Sequence, residues 1–254
     1  MNNKSILEQA NELAGVWEII KNKNFVDLTQ TFEPGIPHSD LFPNEEVKII
    51  YNHKENGFLS QVFTHVGQWG THIDAPSHFM EGGRSVDDIG VKDMVMPLVI
   101  LDVHEKVVLD PDYLVSMDDV NAWEAKYGKI TQGSFVALRT DWSKRWAGGM
   151  DAMVNKGIDN VFHYPGWSKD VIEYLSEDCK VTAIGHETTD TDPGISCTNN
   201  EYVLEDYILK RNHYQIEMLT NLDLVPEYGA LVVVTCPKAK GASGFPARVF
   251  AILP

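Results

Sequence analysis

Residues 5–22 place apolar side chains at Ile6, Leu7, Ala10, Leu13, Ala14, Trp17 and Ile20, a spacing that draws one stripe along an α-helix. Such a helix needs a surface to pack on, either the main body of this chain or another subunit. Phe25-Val-Asp-Leu-Thr-Gln-Thr-Phe32 then alternates and is rich in β-branched and aromatic residues, which predicts a strand. Two prolines and a glycine in Glu33–Asp40 predict a loop, and the alternating runs Val47–Tyr51 and Leu59–Val66 predict an antiparallel pair. Apolar runs at 97–103, 134–140, 181–185 and 230–235 read as buried strands. Between them, Ser116 with Asp119 resembles a capping box that opens a helix ending at Gly128. A second helix follows Ser168 with Val171, Ile172 and Leu175 inward, and a third spans about 199–211. The economical reading is one mixed α/β domain over residues 1–254, with residues 1–23 as a helical extension.

Charge narrows the partners. With 21 Lys+Arg against 37 Asp+Glu, the net charge of −16 repels phosphate backbones, so neither nucleic acid nor an anionic membrane is an expected partner. No apolar stretch approaches the roughly 20 residues needed to cross a bilayer. Cys179, Cys197 and Cys236 lack C-x-x-C spacing, which excludes a disulfide framework and a thiolate zinc site. The residues after Met1 carry no charged-then-apolar leader, and the expected setting is the cytoplasm.

The densest cluster of ligand-type residues is Gln68-Trp-Gly-Thr-His-Ile-Asp-Ala-Pro-Ser-His78. In an extended strand Gln68, Gly70, His72 and Asp74 share one face, while Trp69, Thr71 and Ile73 take the other. On this reading Gly70 leaves a gap for an ion, and Ala75-Pro76 turns the chain so that His78 swings back over the same face. Imidazole nitrogen, carboxylate oxygen and an amide oxygen from Gln68 make a metal site, with His78 free for proton transfer.

The string Gly70-Thr-His-Ile-Asp-Ala-Pro-Ser-His-Phe79 resembles the H-x-G-T-H-x-D-x-P-x-H-F motif of the cyclase family of hydrolases. Phe25-Val-Asp-Leu-Thr with Pro34-Gly-Ile-Pro is similar to that family's opening strand and loop. Leu138-Arg-Thr-Asp-Trp142 resembles its central strand, and Glu217-Met-Leu-Thr-Asn-Leu-Asp223 its E-N-L segment. The resemblance implies a swivelling β/β/α fold with a mixed sheet, and a homo-oligomer, dimer or tetramer, with the active site near a subunit interface. It implies a hydrolase dependent on zinc or manganese, acting on amide, lactam or ester bonds of a small molecule. By analogy His72, Asp74 and Glu217 are metal ligands and His78 is the acid/base.

Two histidines of the pattern are absent. Gln68 stands four positions before His72, and Glu205 stands twelve before Glu217. Both are harder donors than imidazole, which moves the site from zinc toward manganese, magnesium or calcium, or leaves one metal where relatives hold two. One divalent cation, manganese or zinc, is therefore the expected cofactor. Gly185-His-Glu-Thr-Thr-Asp-Thr-Asp192 ends a buried strand, where Glu187, Asp190 and Asp192 are candidates for further ligands or for substrate binding. His163, His186 and His213 are candidate distant replacements for a lost histidine. Trp69 and Phe79 flank the motif and suit a flat aromatic substrate. Two other readings stand beside the hydrolase: a non-haem iron oxygenase using H-x-D with Arg211 and His213, and a degenerate member that only binds a small molecule or partner.

Overall fold

A computed structural model describes residues 5–39 and 41–254; residues 1–4 of the helical extension and Asp40 of the predicted loop lie outside the described residues. The chain opens with α1 (Ile6–Ile20), β1 (Phe25–Asp27), β2 (Glu46–Tyr51), α2 (His53–Asn56), β3 (Ser60–Thr64) and β4 (His72–Asp74). It continues through β5 (Val95–Asp102), α3 (His104–Leu109), α4 (Met117–Tyr127), β6 (Phe135–Arg139), α5 (Gly149–Val154), α6 (Lys169–Glu173) and β7 (Ala183–His186). Then follow α7 (Gly194–Thr198), α8 (Val203–Lys210), β8 (Tyr214–Glu217), β9 (Leu231–Thr235), β10 (Gly244–Pro246) and β11 (Arg248–Ile252).

Nine strands form one mixed sheet in the order β1-β11-β9-β5-β6-β7-β8-β4-β10. Strands β5 through β8 run parallel, as the helical crossovers between them require, and every other pairing is antiparallel. Only Ala247 separates β10 from β11, which lie near opposite ends of that order, so the sheet must curl until its ends meet. Hydrogen bonds from Ala247 N–H to Thr71 C=O (2.9 Å) and from Thr220 N–H to Leu28 C=O (3.1 Å) fasten the closure.

The period of two sorts side chains between two cores. Leu98, Ile100, Phe135, Ala137 and Ile216 point into the curl with Val232, Val249 and Ile73. Val99, Leu101, Val136, Leu138 and Ile184 point outward against α4, α6 and α8. Ser116 caps α4, and its hydroxyl and backbone N–H both meet the Asp119 carboxylate at 2.8 Å, as the capping box predicted.

The N-terminal third behaves differently. No residue of α1 is buried, so its apolar stripe does not pack on the body of this chain. The β2–β3 hairpin is a separate two-stranded sheet whose Ile49, Tyr51 and Phe63 face outward. The strand predicted over 25–32 is regular only to Asp27. Beyond it Thr29 makes an isolated bridge to Leu219, and its hydroxyl and the Val249 backbone exchange hydrogen bonds in place of a ladder.

Candidate metal centre

Register assembles the site. In the β4–β8 ladder His72 lies opposite Glu217, Ile73 opposite Ile216 and Asp74 opposite Gln215. Directly opposed residues of one face hold their Cβ atoms roughly 5 Å apart, so the isoleucines enter the core while the polar pairs meet on the other side. On the far edge of β4, Gly244 of β10 faces Asp74. A Cβ there would lie 2.4 Å from Gln68 Nε2 and 3.0 Å from Asp74 Oδ1, so only glycine fits.

Gly70 does not serve as the expected gap in an extended strand. Its φ of +61° is left-handed, and an added Cβ would meet Ile36 Cδ1 at 3.0 Å. The turn instead aims the Gly70 carbonyl at His72 Nδ1, 2.8 Å away, so that nitrogen carries the proton and Nε2 presents its lone pair. His72 Nε2 is buried and has no hydrogen-bond partner. It lies 3.3 Å from Asp74 Oδ2 and 3.4 Å from Glu217 Oε2. Metal–ligand bonds of about 2.1 Å in a tetrahedral set separate neighbouring donors by about 3.4 Å. One nitrogen and two carboxylate oxygens within 4.8 Å of one another thus fit a single divalent cation in both spacing and chemistry.

Around this trio the other candidates fall into distinct places. The Gln68 amide reaches Asp74 Oδ1 at 3.3 Å and Ser243 Oγ at 3.4 Å, so it holds the far oxygen of Asp74. Glu205 is set by the start of α8, where Asp192 accepts from the Leu204 and Glu205 N–H groups at 3.0 Å. Its Oε1 lies 3.1 Å from Gln215 Nε2 and 3.9 Å from His78 Nε2. His78 ends a 3₁₀ turn begun by Pro76 and is half-buried at the cavity wall.

Burial and crowding set the charges. Burial pushes the Glu217 and Glu205 carboxyls well above their ordinary range, and neighbouring carboxylates push them further. Burial pulls in the same upward direction on Asp74, but the His72 imidazole beside it wins and holds Asp74 down at about 2. Burial opposes a charge on His72, whose pKa is nonetheless raised by Asp74. Asp190 is raised chiefly by burial while accepting from Tyr164 (2.5 Å) and Thr189 (2.6 Å). Among the described residues no Lys or Arg lines the cavity, and a divalent cation would offset the charge of its buried carboxylates.

A cavity of about 250 Å³ opens over the trio. Phe42, Phe79, Phe162 and Tyr202 form apolar walls, while His38 and Asp190 add polar groups. Phe79 therefore stands where a substrate contact is expected. Trp69 does not: it is wholly buried beneath His38, ring centroids 4.5 Å apart. Glu187 also lies elsewhere, accepting from Thr140 N–H (2.7 Å), Thr140 Oγ (3.2 Å) and Ser143 Oγ (2.5 Å). Of the three distant histidines, His163 pairs with Asp112 at 2.7 Å, His213 lines no part of this cavity, and only His186 approaches the trio. Arg211 is engaged with Glu177 at 2.9 Å, which leaves the facial-triad reading without its anion-binding arginine.

Sequence reading missed Gln215. Its Nε2 lies 3.3, 3.1 and 3.0 Å from Asp74, Glu205 and Glu217, making it the hub of the carboxylates. The signal was present, since Gln215 precedes Glu217 by two positions in a strand and must share its face.

The Cyclase family model matches residues 26–193, well over half of the chain. An isatin hydrolase from Roseibium aggregatum is 30% identical over 243 residues, covering 90% of this chain and 91% of that protein. Isatin hydrolase A from Ralstonia solanacearum superposes with a TM-score of 0.85 at 31% identity, covering 100% of this chain and 99% of the other. A crystal structure of an isatin hydrolase bound to the product analogue thioisatinate gives 0.87 at 28% identity, with coverage of 99% and 100%.

Proposed function

The chain belongs to the cyclase family and is a metal-dependent hydrolase, and we propose that it opens the lactam or related acyl bond of a small aromatic substrate with His78 as proton carrier. The observation that carries this reading is the orphaned His72 Nε2, facing two carboxylate oxygens on the cavity floor. His72, Asp74 and Glu217 would hold one cation, with Gln68 steadying Asp74 and Glu205 facing His78. Among metals, one nitrogen with carboxylate oxygens favours manganese, with zinc the other fit. When bound, the cation acts as a Lewis acid that acidifies water and polarises the substrate carbonyl.

The protein's own part is positioning and proton transfer. The Gly70 carbonyl fixes the His72 tautomer, and Gly244 leaves room for the Gln68 amide to hold Asp74. His78 Nε2 points toward the carboxylate cluster, where it takes a proton from the attacking water and returns it to the leaving nitrogen or oxygen. Phe42, Phe79, Phe162 and Tyr202 form walls suited to a flat ring, in keeping with an isatin-like lactam. The same proposal makes the protein a homo-oligomer, dimer or tetramer, joined through the exposed stripe of α1 and the β2–β3 hairpin. The free thiols Cys179, Cys197 and Cys236 accord with a reducing cytoplasm.

The test is a His78→Ala variant assayed on isatin and on aryl formamides with its metal content measured. Turnover should fall by about 10²-fold or more while metal stays nearly stoichiometric. Loss of the metal would instead make His78 a ligand and overturn its assigned role.

A further inference from the structure

Strand β7 ends at His186, whose side chain is wholly buried and lines no part of the cavity. Its Nδ1 lies 3.2 Å from the indole Nε1 of Trp167, which is also wholly buried. An indole N–H can only donate, so His186 Nδ1 must offer its lone pair and the ring's proton sits on Nε2. That nitrogen is buried without a hydrogen-bond partner and faces Glu217 Oε1 at 3.5 Å. The parallel register that sets Gly185 beside Ile216 brings the next residues, His186 and Glu217, out side by side. Leu219 N–H closes onto the His186 carbonyl at 2.9 Å and fixes the exit of both strands.

The two oxygens of Glu217 are thereby sorted. Oε1 faces N–H groups of Gln215 (3.0 Å) and His186, while Oε2 faces the bare Nε2 of His72. We propose that His186, its tautomer set by Trp167, is a positioning residue that holds Glu217 by Oε1 and leaves Oε2 as the oxygen presented to the cation. The inference rests on the cation reading above. It also bars His186 from being the replacement ligand, because the nitrogen nearest the trio carries a proton.

Calorimetric titration of the chelator-stripped full chain with Mn(II) tests this. His186→Leu should weaken binding by about 10- to 100-fold, the effect expected when a ligand loses its orienting partner. His186→Gln, which restores an N–H donor, should recover most of that loss. Trp167→Phe frees the ring to take its other tautomer and should weaken binding by about 10-fold. In a Glu217→Gln background, neither His186→Leu nor Trp167→Phe should cost anything further. Unchanged affinity in His186→Leu, or an equal loss in both backgrounds, overturns the proposal. Should His186→Leu fail to fold, Trp167→Phe in the two backgrounds decides by the same criterion. A wild-type chain that binds neither Mn(II) nor Zn(II) overturns the underlying cation reading, an outcome distinct from a wild type that binds and a variant that binds equally well.

Discussion

The stretch from α1 to β3 and the mouth of the curled sheet invert the usual order of a folded chain in opposite senses. In the first, large apolar side chains face solvent, with Leu13 73% and Trp17 60% exposed. In the second, Asp74, Glu205, Glu217, Asp190 and Asp192 are withdrawn from it. Each arrangement is costly in isolation, but the energies differ in kind. Exposing an apolar side chain forgoes about 1.5–3 kcal/mol. An isolated buried carboxylate is far costlier and responds by changing its protonation. The buried cluster is therefore tied to the fold's own stability, whereas the apolar face can remain bare without the body unfolding.

Removing the cation should produce the largest effect. Chelation should lower turnover by about 10³-fold, several kcal/mol of barrier. It should also lower the thermal midpoint by about 5–10 °C, because a ligand held at about 100 times its Kd stabilises by about 2.7 kcal/mol. A thermal scan with and without EDTA checks the second figure, and an unmoved midpoint would break the comparison at its strongest point. Glu187 sharpens it, being a buried carboxylate already supplied with three donors from Thr140 and Ser143. Glu187→Ala should cost about 3 kcal/mol in denaturant unfolding while leaving Mn(II) stoichiometry unchanged. The apolar face should give the smallest effect on the protomer. Leu13→Asp with Trp17→Asp should weaken association by about 10²-fold in light scattering, with the circular dichroism of the body retained. An assembly of unchanged mass would remove α1 from the interface.

Short-range chemistry was legible in the sequence, and long-range register was not. His72, Asp74 and His78 lie within seven consecutive residues, so one motif disclosed them, and the capping box at Ser116 was equally local. Glu217 came from resemblance, while Gln215 escaped because its importance depends on standing opposite Asp74 in a ladder between segments 141 residues apart. Glu187 is not resolved by sequence, since a carboxylate beside ligand-type neighbours looks the same whether it faces the cavity or Thr140. The alternation at Gly70 reads as a gap in a strand, whereas its positive φ makes a turn. The stripe of α1 was correctly drawn, and only the structure excluded the body of this chain as its seat. Strand β10 is hidden in the sequence because Gly244 and Pro246 interrupt its alternation, and its pairing comes from β4 far upstream.

The junction at Ala247 has a consequence for the order in which the molecule is made. Residues 244–246 cover the free edge of β4 beside Asp74, and residues 248–252 bridge β1 and β9. On the ribosome the strand bearing His72 and Asp74 waits with both edges unpaired until β8 follows about 140 residues later, and with one edge unpaired for about 30 more until β10 is made. Assembly of the site is thus expected late in synthesis, and the waiting β4 edges are open meanwhile to pairing with other strands.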